Sequence, residues 1–203
     1  YRVERQVTDD TRFGYVLSEL ATGNPTARIG FHVTSTSEGF ADLLANEADM
    51  VLSTRSASAT EIALAREAGL GDLGDPKRAR IIALDAMVPV VSRANALDGL
   101  TLQGLARVFS GQVDNWVALG GPDQPIELHL RDELSGVAQA FVSSVLTLRS
   151  MQLADDVTRH VSDRDLSDAV ARSAYGIGVV PYSALGNARA LPIKGACGML
   201  SVA

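Results

Sequence analysis

The chain has 203 residues, of which 46% are hydrophobic and 5% aromatic, and its formal net charge is -6. This length suits one compact domain or two small lobes, and the hydrophobic content is sufficient for a core. The acidic balance argues against a nucleic-acid-binding protein, because phosphate backbones are bound by clustered Lys and Arg. An acidic chain can still bind a small anion when the positive potential is local.

Cysteine usage and hydropathy say little about the compartment. Cys197 is the one cysteine of the chain, so an intrachain disulfide is excluded. No apolar run has the length of a membrane-spanning helix, and we therefore expect no membrane span in this chain. No signal peptide is visible, and the start at Tyr1 within a strand-like run indicates a mature or trimmed chain.

The first part of the chain alternates apolar stretches with hydroxyl-rich turns. Thr34-Ser35-Thr36-Ser37 precedes one predicted helix, and Ser53-Thr54-Arg55-Ser56 follows a predicted short strand. This order of strand, turn and helix is typical of an α/β layer, in which polar loops at the strand ends bind ligands. The predicted elements are strands at 3–7, 27–33 and 50–52 and helices at 13–20, 40–47 and 60–68.

The middle of the chain is its most informative stretch. Apolar residues recur at helical spacing from Leu102 to Phe109, with Thr101 as the expected N-cap. Residues 125–131 then alternate apolar and polar side chains, which predicts a half-buried strand ending at Arg131. A helix beginning at Ser135-Gly136 would direct free backbone N–H groups toward whatever Arg131 approaches. This combination predicts an anion pocket.

The remaining segments follow less regular patterns. The apolar run from Arg80 to Val91 exceeds an ordinary strand, so we expect it to cross between two lobes. Trp116 is expected in the core, and His129 is predicted to lie on the surface because it alternates outward on its strand. Further predicted elements are helices at 146–159 and around 166–170, the latter capped by Ser162 or Asp163, and a strand at 175–182.

A longer motif makes a resemblance specific. The chain carries L-T-L-x-x-L-x-x-[IV]-F-S-G-x-[IV]-x-N-W-x-x-L-G-G-P-D-x-P-I, followed by R-x-x-x-S-G. This pattern resembles the PstS-like phosphate-binding periplasmic substrate-binding proteins, and most closely the variant found beside OmpA-like domains. The resemblance extends from about Phe31 to Gly198 and so covers most of the chain.

The resemblance implies an α/β, two-lobed periplasmic-binding-protein-like (type II) fold whose lobes are joined by two crossing strands. Lobe one would comprise residues 1–88 and 181–203, and lobe two residues 89–180. It also implies capture of a small oxyanion, phosphate by family default, between the lobes. The implied compartment is the periplasm, and the implied partner is an ABC permease or a cell-envelope assembly. Related proteins continue beyond the end of this chain, so either the chain is cut or its domain is smaller.

Three loops are expected to bind the ligand by hydroxyl groups, N–H groups and arginine. The loops are the turn before the helix predicted at 40–47, the turn after the strand predicted at 50–52, and the start of the helix after Arg131. The ligand-binding residues that we infer are Ser35, Thr36, Ser37, Ser53, Thr54, Arg55, Arg131, Ser135, Gly136 and Val137.

Each loop also has an interpretation that needs no ligand. Ser and Thr before a helix are ordinary caps, which would explain Ser35 and its neighbours. The second loop would be a turn with an exposed Arg55. In the third, Arg131 would pair on the surface with Asp132 or Glu133.

The chain also departs from the pattern of the family it resembles. Val137 replaces a usual Thr, and Thr54 stands where classical phosphate binders have an Asp that accepts a proton from the ligand. Glu38, Asp9 and Asp10 add carboxylates near the expected ligand loops, where they would repel a dianion. These departures motivate an alternative function, a sensor or interaction module that kept the fold and lost the ligand.

We expect no enzymatic activity, no cofactor and no metal. His32, His129 and His160 are scattered, and none has a second ligand at metal-binding spacing. Cys197 has no basic partner nearby in the sequence, and no base is visible near Ser135, so nucleophilic catalysis has no support.

Overall fold

The computed structural model describes residues 3–7, 13–17, 32, 34–82, 84–195 and 198–200. The chain divides into two compact units, residues 1–52 and 53–203. Apart from His32, the strand predicted at 27–33 lies outside the described residues, as do Asp9, Asp10 and Cys197. The predicted lobe boundaries at 88/89 and 180/181 stay predictions.

The first unit contains a β-hairpin and a helix. Strand β1 (Val3–Val7) pairs antiparallel with β2 (Phe13–Leu17), so the helix predicted at 13–20 is wrong. Aromatic and β-branched residues in β2 favour a strand, and pairing with β1 satisfies its backbone. Helix α1 (Thr36–Leu44) follows. The predicted strand at 50–52 is also wrong, since these residues have no regular structure and Met50 is 76% exposed.

A five-stranded mixed sheet organises the second unit. Its strands are β3 (Met87–Val91), β5 (Glu127–Arg131), β6 (Thr158–His160), β7 (Gly176–Pro181) and β8 (Arg189–Ala190). Their order is β6-β5-β7-β3-β8, with β5 parallel to both of its neighbours and β3 antiparallel to β7 and β8. The two strands expected to cross between lobes, β3 and β7, are therefore adjacent in the sheet.

Helices and a smaller three-stranded sheet complete this unit. The described helices are α2 (Ala59–Glu67), α3 (Leu102–Phe109), α4 (Gly136–Phe141) and α5 (Asp163–Arg172). The smaller sheet has the order β10-β9-β4, from β4 (Leu100–Thr101), β9 (Ile193–Gly195) and β10 (Gly198–Leu200). Helix α4 continues as a π-helix (Val142–Leu146) and a 3₁₀ turn (Thr147–Arg149). None of the described helices is long and apolar enough to span a membrane.

Aromatic packing joins α3 and α4 in the core. The rings of Phe109 and Phe141 meet edge to face with centroids 4.8 Å apart. Trp116 is 1% exposed and donates from Nε1 to the Tyr175 carbonyl at 2.9 Å, so the core position predicted for it is confirmed. The cap predicted for α3 is confirmed as well, because Thr101 Oγ1 accepts from Gly104 N at 2.9 Å.

Within the described part of the 80–91 run the strand is Met87–Val91 and Ile81 is 84% exposed, and the expected crossing between lobes stays a prediction. Two other predictions about the second unit fail for reasons of tertiary context. The helix predicted at 146–159 ends at Arg149, where Ser150 takes a left-handed conformation with φ 54°. His129 is 8% exposed rather than on the surface, because its strand lies inside the sheet with both faces covered.

Gly178 on β7 sets how closely α5 packs on the sheet. A Cβ atom at this position would lie 2.6 Å from Leu166 Cδ2 and 3.0 Å from Val170 Cγ2. We therefore expect Gly178→Ala to lower the free energy of unfolding by about 1–3 kcal/mol, the usual cost of overpacking. Urea denaturation measures this loss. Gly104→Ala within α3 is the control, and it should change stability by less than about 1 kcal/mol. An equal free energy of unfolding for Gly178→Ala and Gly104→Ala would contradict this packing constraint.

Candidate functional site

Arg131, the last residue of β5, lies at the carboxyl end of two parallel strands. Its Nη1 is 3.0 Å from Asp163 Oδ1 on α5, and its Nη2 is 3.2 Å from Asp132 Oδ2. Its Nε donates to the His160 carbonyl of β6 at 3.2 Å. The side chain is 16% exposed, so the guanidinium is oriented from three directions and its charge is compensated by two carboxylates. The alternative pairing with Asp132 is thus present, whereas Glu133 lies 3.6 Å from Arg159.

The helix start after Arg131 forms as the sequence predicts. A turn links the two, with Ser135 N donating to Asp132 O at 3.2 Å and Leu134 N to Asp132 Oδ1 at 3.1 Å. Ser135 is 5% exposed and is the N-cap of α4, but its side chain makes no capping hydrogen bond. The first-turn N–H groups of a helix have no intrahelical acceptor, so those at Gly136 and Val137 suit an anion. Val137 itself is half-buried.

The other described α-helices have their first turn capped by a side chain. The N-cap hydroxyls accept from the third helical residue in α1, α2, α3 and α5, and these residues are Ser35, Ser58, Thr101 and Ser162. Helix α4 differs because the Ser135 hydroxyl does not bond its own helix. The sequence alone would have predicted an ordinary cap at Ser135 as readily as at these positions.

The turn after Leu52 contains a half-buried arginine, not an exposed one. Ser53 Oγ donates to the Arg55 carbonyl at 2.6 Å and accepts from Arg55 N at 3.2 Å, so its hydroxyl closes the turn. Thr54 is exposed. Arg55 forms a two-pronged ion pair with Glu61, with distances of 2.7 and 2.8 Å and both side chains 14% exposed. Arg55 therefore carries a structural ion pair rather than an uncompensated positive charge.

Gln139 connects the second predicted loop with the third. Its Oε1 accepts from Arg55 Nε at 2.5 Å, and its Nε2 donates to the Glu133 carbonyl at 2.9 Å. Gln139 lies on α4, one turn after Ser135. The structure therefore brings the 53–55 loop and the 131–136 loop together within the second unit. No motif in the sequence marked Gln139.

The first predicted loop belongs to the other unit and acts as a helix cap. Ser35 Oγ accepts from Glu38 N at 3.2 Å, and the Glu38 carboxylate accepts from Ser35 N at 3.0 Å and from the Thr34 hydroxyl. This is a capping box, and these hydrogen bonds, led by that from Thr34, lower the pKa of Glu38. Thr36 is buried and Ser37 half-buried in the first turn of α1. The proximity of this first loop to the other two loops stays a prediction.

Two histidines lie beneath Arg131. Strands β5 and β6 pair in register, which places His129 Nδ1 3.0 Å from His160 Nε2. One of these nitrogens must donate and the other accept, so the contact requires a single proton between them. Burial lowers the pKa of both rings, and their surroundings add opposing effects. His160 lowers the pKa of His129, while Glu127 raises it; Asp165 raises the pKa of His160, while Arg131 lowers it.

No group of three or more His, Cys, Asp or Glu side chains in the described ranges is arranged to hold a metal ion. The pairing of β5 with β6 brings the two histidines together, and sequence spacing could not reveal them because they lie 31 positions apart in the chain. The pKa of Glu61 is shifted strongly, since hydrogen bonds from Arg55 and Ser58 lower it to about 2. It remains ionised across the ordinary pH range.

The histidine pair predicts a pH dependence of stability. A histidine whose folded pKa is depressed binds its proton first in the unfolded chain, so its contribution to stability is complete above the ordinary pKa of 6.5. That contribution is lost as pH falls below 6.5 toward the folded pKa values. We expect the urea concentration at the unfolding midpoint to decrease as the pH is lowered from 7 to 5. In the double variant His129→Phe with His160→Asn, this decrease should be smaller. The contribution of Glu61 is lost mainly as pH falls from its ordinary pKa of 4.5 toward its folded pKa of about 2, below this interval. An identical slope in the double variant would contradict the assignment.

Comparison with known proteins gives one family and several relatives. A family model described as PBP superfamily domain matches residues 8–197. Protein SphX of Synechococcus elongatus is 25% identical over 174 residues, which cover 83% of this chain and 50% of that one. The phosphate-binding protein PstS of Bacillus subtilis is 28% identical over 104 residues, 51% of this chain and 34% of that one. The chain thus spans about half, or less, of the length of these curated relatives.

A similar fold occurs among solved structures. A substrate-binding protein assigned to a phosphate ABC transporter of Clostridium perfringens, solved with bound phosphate, aligns with a TM-score of 0.69 and 20% identity. The alignment covers 88% of this chain and 69% of that one. The predicted α/β, periplasmic-binding-protein-like fold class and the PstS-like resemblance are confirmed, and the chain belongs to the PBP superfamily.

Proposed function

We propose that this chain is the binding domain of a solute receptor that captures a small oxyanion, with phosphate as the ligand. The observation that carries the proposal is the start of α4. There an N-cap serine that is 5% exposed leaves its helix uncapped beside an oriented arginine. Helix N-terminal amides combined with a guanidinium form a strong oxyanion-binding arrangement. Support comes from the curated PstS and the Clostridium structure, which are named for phosphate.

The proposed site binds through donors rather than through net positive charge. Arg131 is compensated by Asp132 and Asp163, so the backbone N–H groups and the Ser135 hydroxyl would supply most of the attraction. Asp132 is 35% exposed at its side chain and lies in the turn that precedes Ser135. A carboxylate at this edge favours an oxyanion that still carries a proton. Hydrogen phosphate meets this condition at neutral pH, and sulfate does not.

The three predicted loops have unequal parts in this proposal. The 131–137 loop is its centre, with Arg131, Ser135, Gly136 and Val137. Thr54 lies at an exposed position of the second loop, and Ser53 and Arg55 hold that turn together through their hydrogen bonds. Ser35 is occupied as a cap, so Thr36 and Ser37 would contribute mainly by their backbone amides.

Location and partners follow as part of the same proposal. A receptor for phosphate would work in the periplasm and deliver its ligand to an ABC permease. An association with OmpA-like domains or another cell-envelope assembly is a further proposal, motivated by the motif pattern alone. The alternative of a ligand-free sensor or interaction module is less well supported, because relatives found by sequence and by structure are named for phosphate.

Calorimetry with inorganic phosphate tests the proposal. We expect Arg131→Gln to weaken phosphate binding about tenfold, because beside the backbone donors the guanidinium would contribute one charge-assisted hydrogen bond worth roughly 1.5 kcal/mol. Arg164→Gln is the matched control. It removes the same charge from a side chain that is 90% exposed on α5, so affinity should stay within about twofold.

Several outcomes would count against the proposal. Unchanged affinity in a folded Arg131→Gln variant would remove the site assignment. Failure of the unaltered protein to bind phosphate, with no thermal shift for phosphate, sulfate or carboxylates, would favour the ligand-free module. Tighter binding of sulfate than of phosphate would contradict the role given to the carboxylates.

A further inference from the structure

The amide side chain of Gln139 bonds the turn that carries the proposed anion site. Gln139 Nε2 donates to the Glu133 carbonyl at 2.9 Å, in the middle of the turn between Arg131 and Ser135. The backbone of Gln139 also donates to the Ser135 carbonyl at 3.0 Å. Gln139 therefore contacts the turn at two points, one through each part of the residue.

The orientation of the Gln139 amide is set by Arg55. An arginine has only donors, so the atom that faces Arg55 Nε at 2.5 Å must be the amide oxygen. The amide nitrogen then faces the Glu133 carbonyl. A reversed amide would place two donors against each other at Arg55 and two acceptors against each other at Glu133. The flip is therefore disfavoured at both ends.

Arg55 is itself held in place by hydrogen bonds, so it fixes the orientation of the Gln139 amide. Its guanidinium bonds both carboxylate oxygens of Glu61 and donates to the Ser56 carbonyl at 3.0 Å. Glu61 is anchored in turn by Ser58, whose backbone N donates to it at 2.7 Å in the capping box of α2. Charge-assisted bonds in a fork geometry are both strong and directional. The chain of contacts runs from α2 through Arg55 and Gln139 to the turn.

We infer that Gln139 is a positioning residue of the proposed anion site, which sets the direction of the first N–H groups of α4 by holding the Glu133 carbonyl. This inference rests on the proposed function. Amide donors aim well only when the turn before them is fixed, because hydrogen bonds weaken steeply with misalignment. The Ser135 hydroxyl does not cap α4, so the usual local device for fixing a helix start does not act here.

Two substitutions separate positioning from stability. Gln139→Met keeps the length and removes the amide group that bonds Arg55 and the Glu133 carbonyl. Gln139→Glu keeps an acceptor for Arg55 and adds a charge to that contact, but loses the donor to Glu133. We expect Gln139→Met to weaken phosphate binding about tenfold. Gln139→Glu should weaken it by at least as much while its melting temperature stays equal to or above that of the unaltered protein. Gln103→Met, at an exposed position on α3, is the matched control and should leave both properties unchanged.

A general charge effect in Gln139→Glu is removed by salt, because 1 M salt screens charges beyond about 3 Å. A weakening that persists at 1 M salt supports positioning, and recovery to the affinity of the unaltered protein contradicts it. Gln139→Met, which changes no charge, is decisive if Gln139→Glu fails to fold. Phosphate binding by Gln139→Met that equals the unaltered protein overturns the inference.

Amide hydrogen exchange in the ligand-free protein gives a readout that does not depend on phosphate. Exchange at residues 134–138 should be about tenfold faster in Gln139→Met than in the unaltered protein, with α3 unchanged. Equal exchange rates overturn the inference. If the unaltered protein binds no phosphate but exchange responds as expected, the proposed function fails and the positioning of the turn stands.

Discussion

The burial of β5 between β6 and β7 is the constraint on which the site depends. Parallel pairing on both sides places the Arg131 end of β5 at the same edge as His160 of β6, and it directs the chain into the turn before α4. Because the strand is covered on both faces, Leu128, His129 and Leu130 are all buried. A register shift would bury the guanidinium or expose the apolar residues, so the position of Arg131 is fixed by the core itself.

The same geometry makes the site electrostatically unusual for an anion receptor. The chain is acidic, and both arginines of the predicted ligand loops in the second unit are paired with carboxylates, Arg131 with Asp132 and Asp163 and Arg55 with Glu61. Attraction for an anion must then come from neutral donors at close range, whose effect falls off over a few ångströms. Such a site discriminates by shape and protonation more than by charge, and its affinity should depend only weakly on ionic strength.

Local patterns in the sequence predicted local structure well. The helix from Leu102 to Phe109, its Thr101 cap and the strand ending at Arg131 follow from periodicity and capping rules, which involve neighbours only. Elements that depend on distant partners were harder. Phe13–Leu17 fits both a helical and an alternating pattern, and pairing with β1 decides for the strand. The apolar run from Arg80 to Val91 was too long for one strand, and in its described part the strand is the segment that pairs with β7 and β8.

The candidate site, too, was predictable where it depends on neighbours in the sequence and not where it depends on distant residues. The motif R-x-x-x-S-G marked Arg131 and the start of α4, because the sequence pattern predicts the end of a strand followed by the start of a helix. The roles of Asp163, His160 and Gln139 could not be predicted from the sequence, since each depends on contacts made by tertiary folding. From residue types alone, both arginines were expected to be available to a ligand. In the folded chain a half-buried guanidinium must find acceptors, and carboxylates nearby provide them.

These partners change how the departures from the family pattern are to be understood. Val137 removes a hydroxyl donor at the second helical position, and the Arg55 guanidinium is taken up by Glu61 and Gln139. In the proposed site, the missing hydroxyl and the pairing of Arg55 would both leave binding mainly to the backbone amides of α4. Backbone donors cannot adjust by changing rotamer as side chains do, so their direction depends wholly on the turn from Asp132 to Ser135. Compensation of Arg55 and rigid support of that turn are therefore two consequences of one hydrogen-bond chain.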